Sequence, residues 1–509
     1  MKILFIEAFF KTTEPMSLML LSSLAKEKKH ETHLFNFDQG RANLKEYLKK
    51  VQPDIVAYSA MTGDHRYLLK ANEIVKTYDK NIFTIMGGMH PTFFQDVLKN
   101  SSLDAICIGE GDDAWSELLD ALQDGKEINN IANIVTRENF GRFSLRPRRT
   151  DLDNLPFLDY DLCYQNIPFL AKSQKRTVMT SRGCPYSCSY CFNHIYNEMY
   201  QGKGPTVTRQ SVSRVIAEVK FMMAKWPTKF IKFYDDDFVL KLDDWLYEFS
   251  ERWPKEVGLP FHCLARADVI AREPQILVLL KKAGIRSISM SVESGNDYIR
   301  NILFKRNMTK DQMHQAFALA RELGIYTFSN AILAVPVSEA AKKEFNLPSN
   351  LDRDIESLDL NLSLKTTITE YMPLFPYPET EIGKYCKTNG FFSGDYDAFT
   401  ISYQNKSPLN CFSQKEKMAQ QNLGLLGTAI QVMAGSNKWL ARKTVPVLRF
   451  MVVKILIKLP LGKLYLLPYV MALNYVHKAK IYSFQKFSFK EWIRAIPFSY
   501  RFNLKRQFE

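Results

Sequence analysis

Short apolar runs alternate with amphipathic stretches along the first 140 residues. The pattern predicts strands at 2–6, 32–35, 55–59, 83–86 and 105–108, and helices at 15–25, 42–50, 67–78, 91–99 and 113–122. Brief strands rich in Val, Ile, Leu and Phe, each followed by a helix, predict a parallel sheet covered on both faces. Ligands of such sheets sit outside the carboxyl ends of the strands. The segments expected there offer Ser59, Met61 and Thr62, then Gly87, Gly88 and His90, then Gly109, Glu110 and Gly111. Glycines at these ends would let a bulky planar ligand approach the backbone.

A polar, proline-bearing linker is expected over 141–174. A second alternation follows, with strands at 177–180, 230–234, 261–264, 287–291, 326–333 and 366–371 and helices at 212–220, 245–253, 275–283 and 310–323. Six β/α units predict a partial parallel barrel over 175–400, whose strand ends converge on one mouth. The fold class is therefore α/β: a doubly wound, Rossmann-like sheet over 1–140, the partial barrel, and a mainly helical extension over 401–509.

Charge changes the picture of that extension. The 509-residue chain is 46% hydrophobic and 13% aromatic, enough for two large cores, and carries a net charge of +14. From Gln414 onward there are 17 Lys and Arg against three acids, so the rest of the chain balances to zero. No reading motif for nucleic acid accompanies this basic region. Its apolar runs over 445–475 are broken by Arg449, Lys454, Pro460 and Pro468 and are too interrupted for a membrane span. Two readings stay open: a helical cover over the barrel mouth with a solvated basic side, or peripheral attachment to anionic lipid, which would suit a lipid-like substrate. The first eight residues read as a buried strand of a cytoplasmic protein rather than a signal segment.

The chemistry is concentrated in Cys184, Cys188 and Cys191, spaced C-x3-C-x2-C with Tyr190 before the last. Three thiolates on one loop hold three corners of a cubic iron–sulfur cluster and leave the fourth iron open to a small molecule. A zinc site completed by His194 is the alternative. Cys107, Cys163, Cys263, Cys386 and Cys411 are scattered, and eight cysteines in so long a chain give no disulfide framework.

The cysteine loop resembles that of the radical S-adenosylmethionine (SAM) enzymes. The first 140 residues, with Pro15–Leu18, Gly87-Gly-x-His-Pro-Thr92 and Gly109-Glu-Gly111, resemble the cobalamin-binding domain that precedes many of them. The resemblance implies a [4Fe-4S] cluster on the three cysteines, SAM on its open iron, and cobalamin at the first sheet. It further implies that Asp235 or Asp236 accepts hydrogen bonds from the SAM amine, that Arg266 pairs with its carboxylate, that Ser291 or Glu293 holds the ribose, and that Tyr190 lies near the adenine. Arg266-x-Asp268 and Glu293-Ser-Gly295 keep the family pattern. Ala334 and Glu379 stand where glycine is usual, and the Asp-x-His-x-x-Gly motif of other corrinoid proteins is missing, so His90 is not assigned as a cobalt ligand. A first domain that binds nothing is the plainer alternative. The expected reaction is cobalamin-dependent methylation of an unactivated carbon in a small-molecule or lipid-like substrate, with an electron donor such as flavodoxin or ferredoxin. A radical SAM oxidoreductase or cyclase without methyl transfer is the second expectation, and a zinc- or cluster-stabilised binding protein the third.

Overall fold

A computed structural model of the chain describes residues 1–8, 13–37, 41–399, 405–436, 439–484 and 487–508. The chain packs into two compact units. The first holds Met1–Thr177, Ile195–Thr228 and Tyr396–Phe399; the second holds Val178–His194, Lys229–Asp395 and the chain from residue 400. The boundary expected at 400/401 falls outside the described residues.

In the first unit, β1 (Lys2–Glu7), β2 (Glu31–Asn36), β3 (Ile55–Ser59), β4 (Phe83–Gly87), β5 (Ala105–Cys107) and β6 (Ile134–Thr136) form one sheet in the order β2-β1-β3-β4-β5-β6. The first five strands pair in parallel, and β6 adds an antiparallel edge. Helices Met16–Glu27 and Asp112–Gln123 pack together, as do Arg41–Val51 and His65–Tyr78, so the strands are buried between helices. Ile3–Ile6 and Ile55–Tyr58 are accordingly almost wholly inaccessible. Strand order reverses direction between β1 and β3, and the crevice at such a switch point is where doubly wound sheets bind ligands. The expected helix over 91–99 is instead the short helix Met89–Phe93 and a separate turn at Gln95–Val97, because Phe94 (φ −133°) leaves the helical region.

The second unit contains the barrel. Strands Phe230–Phe233, Phe261–Leu264, Ile285–Ser289, Tyr326–Leu333 and Ile368–Pro373 pair in parallel in chain order. Val178, the last residue of the strand Lys175–Val178, accepts the Tyr234 N–H at 2.9 Å and begins the series. Along Tyr326–Leu333, Thr327, Ser329, Ala331 and Leu333 are buried and the alternate residues are only partly so. One face of the strand is therefore fully packed, and the other, with Tyr326 and Phe328 against Val476 and Ile481, is partly covered.

The C-terminal helices pack on the side and the bottom of this barrel. Helix Gln414–Ala434 opens with a capping box in which Ser413 and Glu416 exchange hydrogen bonds. Its Leu423 and Ile430 join Leu358, Tyr371 and Ile457 in one apolar cluster. Beyond helix Gly462–Val476 the chain turns inward. Ile481 O accepts from Ser287 Oγ at 2.6 Å, and the Tyr482 ring lies 5.9 Å from Phe230 and 5.4 Å from His262. Phe230 and His262 are at the starts of their strands, so this segment closes the amino-terminal end of the barrel. The expected cover over the mouth is thus corrected. Apolar Ile368 at the amino end accepts Val476 and Ile481, whereas the mouth carries charged side chains that an apolar segment would strand without partners. Among the described residues, no helix is long and apolar enough to cross a membrane.

Candidate active site and cofactor loops

The cysteine loop is fixed from three directions. Asp235, buried at the end of the second barrel strand, accepts from Thr180 N (2.8 Å), Thr180 Oγ (2.9 Å) and Ser181 Oγ (2.6 Å) through Oδ1. That oxygen ties the chain entering the loop to the neighbouring strand. Asp236 takes hydrogen bonds from the Gly183 backbone and the Asn193 side chain, while the protein around it raises its carboxyl above the usual range. At the far side Ser189 donates its N–H to Phe304 O (3.2 Å) and accepts from Ile382 N (3.1 Å). The loop is therefore held independently of anything it binds.

Its three thiols are unlinked and lie within electrostatic reach of one another. Burial pushes Cys184 and Cys191 up to about 12. Thiolate ligands must lose their protons, so ionisation here needs positive charge nearby. Two buried guanidiniums supply part of it at Cys188. Arg266 Nη1 stands 3.8 Å from the Cys188 Sγ, and Arg306 faces the same sulfur as a hydrogen-bonding partner. His194, by contrast, sets Nδ1 against the Cys191 carbonyl oxygen at 2.6 Å. Among the described residues, no three His, Cys, Asp or Glu side chains converge on a single metal ion. A zinc ion would need its ligands gathered on one centre, whereas a cubane spreads its thiolates over separate irons.

The remaining strand-end residues form one buried polar network. Arg266 forks onto Asp268 (2.9 and 3.0 Å), donates to Arg306 O (2.7 Å) and stacks on the Tyr186 ring at 3.9 Å. Its bidentate face, expected to pair with the SAM carboxylate, is thus taken by Asp268. Arg306 donates to Tyr190 Oη (3.1 Å) and Ser291 O (2.8 Å) and lies 4.0 Å from Glu293 Oε1. Burial raises the Glu293 carboxyl; the Arg306 charge and hydrogen bonds from Tyr190 and Ser291 pull it back. The Tyr190 ring packs edge-on against Phe304 at 4.8 Å. Ser291 is also joined to the Asn330 side chain at 3.3 Å.

Arg306 and Asp237 were not anticipated from the sequence. Arg306 lies on a loop with no periodicity, flanked by Lys305 and Asn307, both at positive φ. Asp237 is the third carboxylate of an acidic run, yet it is the one buried between the two arginines. Burial pushes it up to about 8 against their charges. Its Oδ1 has no hydrogen-bond partner among the described residues.

At the first sheet, Ser59 ends β3 and Met61 and Thr62 follow it, at the switch point. Met61 is 47% exposed, and Ser59 and Thr62 are partly so. An exposed thioether between hydroxyls fits an amphipathic ligand. Gly87 is half-buried at the end of β4. Gly88 and Gly109 have a different reason from the one expected. A Cβ on Gly88 (φ +99°) would lie 2.6 Å from Ala60 O, and one on Gly109 (φ +73°) 2.1 Å from Tyr200 Oη. Ala60 O and Tyr200 Oη lie along those approaches and by themselves leave no room for a side chain. Glu110 accepts the Arg149 N–H at 2.9 Å, and its own N–H goes to Tyr200 Oη at 2.9 Å; Gly111 follows, half-buried, beside Cys107 Sγ. His90 is 0% exposed, stacked on His65 at 3.7 Å and bonded to Thr62 Oγ1 at 3.0 Å. Burial, aided by His65, pushes it down to about 2. His90, expected among the cobalamin contacts, is an interior group whose Nδ1 ties the segment after β4 to the one after β3 through Thr62.

Two family models match these two regions in order. The B12 binding domain covers residues 3–119 and the Radical SAM superfamily covers 178–342. The chain thus carries a region matching the B12 binding domain followed by one matching the Radical SAM superfamily. An uncharacterised methyltransferase of Pyrococcus horikoshii is 27% identical over 74% of this chain and 79% of its own. An anaerobic magnesium-protoporphyrin IX monomethyl ester cyclase of Rubrivivax gelatinosus is 22% identical over 58% of this chain and 54% of its own. In structure, the cobalamin-dependent SAM radical enzyme OxsB, solved with aqua-cobalamin and SAM bound, has a TM-score of 0.61 at 16% identity, covering 99% of this chain and 79% of that one. The family's cofactors are a [4Fe-4S] cluster, SAM and cobalamin. The residues present fit them: an unlinked thiol triad with cationic support, a polar network at the barrel mouth, and an open switch-point rim.

Proposed function

We propose that this radical SAM enzyme methylates an unactivated carbon, using Cys184, Cys188 and Cys191 as cluster ligands. When bound, the cluster and SAM supply a 5′-deoxyadenosyl radical that removes a hydrogen atom from the substrate, and cobalamin carries the methyl group. The chain's own residues hold and shield. Asp235 and Ser189 anchor the loop, Arg266 and Arg306 bring positive charge to Cys188, and the Arg306–Tyr190–Glu293–Ser291 network presents hydroxyl and carboxylate groups to the SAM ribose and adenine. Asp236, half open beside Gly183, is the acceptor for the SAM amine. At the first sheet, Ser59, Met61, Thr62 and Gly87 form the rim for cobalamin, with Glu110 and Gly111 at its edge.

The observation that carries this reading is the pre-fixed cysteine loop with two guanidiniums on Cys188, in a chain whose first domain matches the B12 family. Anaerobic reconstitution tests it. The loaded enzyme should show cluster and cobalamin absorption and convert SAM to both 5′-deoxyadenosine and S-adenosylhomocysteine, and Cys188→Ala should lose the cluster and both products. Failure of a fully loaded cluster to cleave SAM would sink the reading. Similarity to the cyclase supports a second one, radical chemistry without methyl transfer, marked by 5′-deoxyadenosine without S-adenosylhomocysteine. Either needs a one-electron donor of the flavodoxin or ferredoxin kind. A small-molecule or lipid-like substrate, reached in the cytoplasm at a membrane surface touched by the basic C-terminal region, completes the proposal.

A further inference from the structure

Twelve of the 21 exposed large apolar side chains among the described residues lie between Trp439 and Phe498. Each stands within four residues of a Lys or Arg. Leu464 is 65% exposed and Phe498 69%, and Trp439, Val447, Phe450 and Ile455 are each at least half exposed. Lys443, Lys454, Lys458, Lys463 and Arg494 are exposed among them. The same helices keep a second face for the protein: Val452, Val453, Leu466 and Val470 are buried in the cluster around Tyr371.

Arg449 resolves the one flaw in this two-faced pattern. By sequence it falls opposite Lys454 and Lys458. In the fold its guanidinium grips Asp359 on helix Asn350–Leu364, with Nε to Oδ1 at 2.7 Å and Nη2 to Oδ2 at 2.5 Å. It belongs to the protein-facing side as an internal tether, which leaves the outer face apolar and basic.

So many exposed large apolar side chains in one stretch of about 60 residues are unusual on the outside of a protein surrounded by water alone. Pro446, Pro468 and Pro497 lie inside the helices that carry them, and among the described residues no helix is long and apolar enough to cross a bilayer. We infer that the outer face of residues 439–501 is an interfacial attachment site for an anionic lipid bilayer. The aromatic and aliphatic side chains enter the acyl boundary, and the lysines keep their ammonium groups among the headgroups. Charge selects this occupant: with 17 basic residues against three acids from Gln414 onward, the region matches a negative surface. For the reaction the inference rests on the proposed function, whose substrate it assigns to the lipid-like class. The surface itself stands apart from the cluster.

Flotation of the full-length, cluster-reconstituted protein with vesicles tests it. The protein should float with phosphatidylcholine vesicles containing phosphatidylglycerol, stay behind with phosphatidylcholine alone, and be released by added salt. Lys454→Glu with Lys458→Glu should weaken binding by about 25-fold or more, at about fivefold per charge removed. Phe450→Ser with Leu464→Ser should weaken it by more than about tenfold. Both double variants should keep the wild-type cluster spectrum, thermal midpoint and lipid-free SAM cleavage. Absence of anionic-vesicle binding at low salt, or wild-type binding by both variants, overturns the inference. So does a lipid-free oligomer that Phe450→Ser with Leu464→Ser converts to monomer, which would give the face to a second copy of the chain. A wild-type protein that floats but does not cleave SAM sinks the radical reading and leaves the surface standing.

Discussion

Arg306 offers a direct measurement of what the buried network contributes. Its nearest contact with Glu293 is 4.0 Å, and the two side chains are only 8% and 10% exposed. At that distance and an effective dielectric constant near 20, the attraction is about 4 kcal/mol. Arg306→Gln also removes hydrogen bonds to Tyr190 Oη and Ser291 O, each worth about 1 kcal/mol. Part of this is returned because the cation no longer has to be desolvated, so the loss should be about 3–5 kcal/mol. Glu293→Gln alone should also destabilise, and the double variant should lose less than the sum by about 1–3 kcal/mol. The pH dependence has a fixed sign. Burial already holds the folded Glu293 carboxyl above its usual value, with Arg306 the main opposing charge. Without Arg306 it rises further, and a carboxyl raised on folding loses stability as pH increases from its unfolded value through its folded one. The Arg306→Gln deficit should therefore shrink as pH is lowered toward about 4–5. Urea unfolding of the four proteins at pH 5 and pH 8, with 5′-deoxyadenosine formation measured alongside, gives every quantity needed. Additive losses, or a deficit that grows on acidification, would refute the assignment of Arg306 as the counter-ion of Glu293.

Two further expectations concern the barrel's last strand ends. Ala334 sits at φ +57° with its N–H bonded to Asp354 Oδ1 at 3.0 Å. Ala334→Gly should relieve about 1–2 kcal/mol of left-handed strain and return about half to chain entropy, raising the unfolding temperature by about 1–3 °C; a fall would contradict it. Burial pushes Asp354 up to about 7, so its ionisation opposes folding increasingly as pH rises from about 4 to that value. The advantage of Asp354→Asn over wild type in unfolding free energy, from urea titration, should grow by about 2–3 kcal/mol between pH 5 and pH 8. An advantage independent of pH would show that the carboxyl titrates normally.

The periodicity of the chain was sufficient for the parallel strands: those of the first sheet are buried on both faces and read as apolar runs, and Tyr326–Leu333 reads by its alternation. Strands 55–59, 261–264 and 326–333 were expected with the bounds they have. The three-residue β6 was missed, since Ile134–Thr136 is too short for any period and is defined by its pairing with β5. Motif spacing located the cysteines and Glu293 but could not separate adjacent carboxylates. Asp235, Asp236 and Asp237 differ only in what their strand end turns them toward: a loop tether, the open side, and two arginines. Arg306 carries no local signal, because its role arises from Cys188, Tyr190 and Glu293, which are distant in sequence. The departures from the family pattern at Ala334 and Glu379 do prove meaningful: both residues adopt positive φ (+57° and +59°), the conformation that makes glycine usual there.

The C-terminal extension can be divided between its two tasks by one substitution. Tyr482 sits where the amino-terminal end of the barrel would otherwise open, against Phe230, His262 and His477, whose ring is 5.2 Å away. If the segment is the floor of the barrel, Tyr482→Ala removes a largely covered ring from a site whose walls are fixed strands. It should then cost about 3–5 kcal/mol, as deletion of a core aromatic does. Water would reach the strand starts, so amide hydrogen exchange should accelerate first in Phe261–Leu264 and Ile285–Ser289. The outer face, with Phe450 and Leu464, is made by other turns of the chain and should still bind anionic vesicles in protein that remains folded. An extension that merely rests on the barrel would give the opposite pattern: a loss below about 1 kcal/mol and unchanged exchange in those strands. Because the mouth and the floor lie at opposite ends of the same strands, only the floor reading predicts that exchange at Phe261–Leu264 rises while the Cys184–Cys191 loop, anchored by Asp235 and Ser189, still assembles its cluster at reduced temperature.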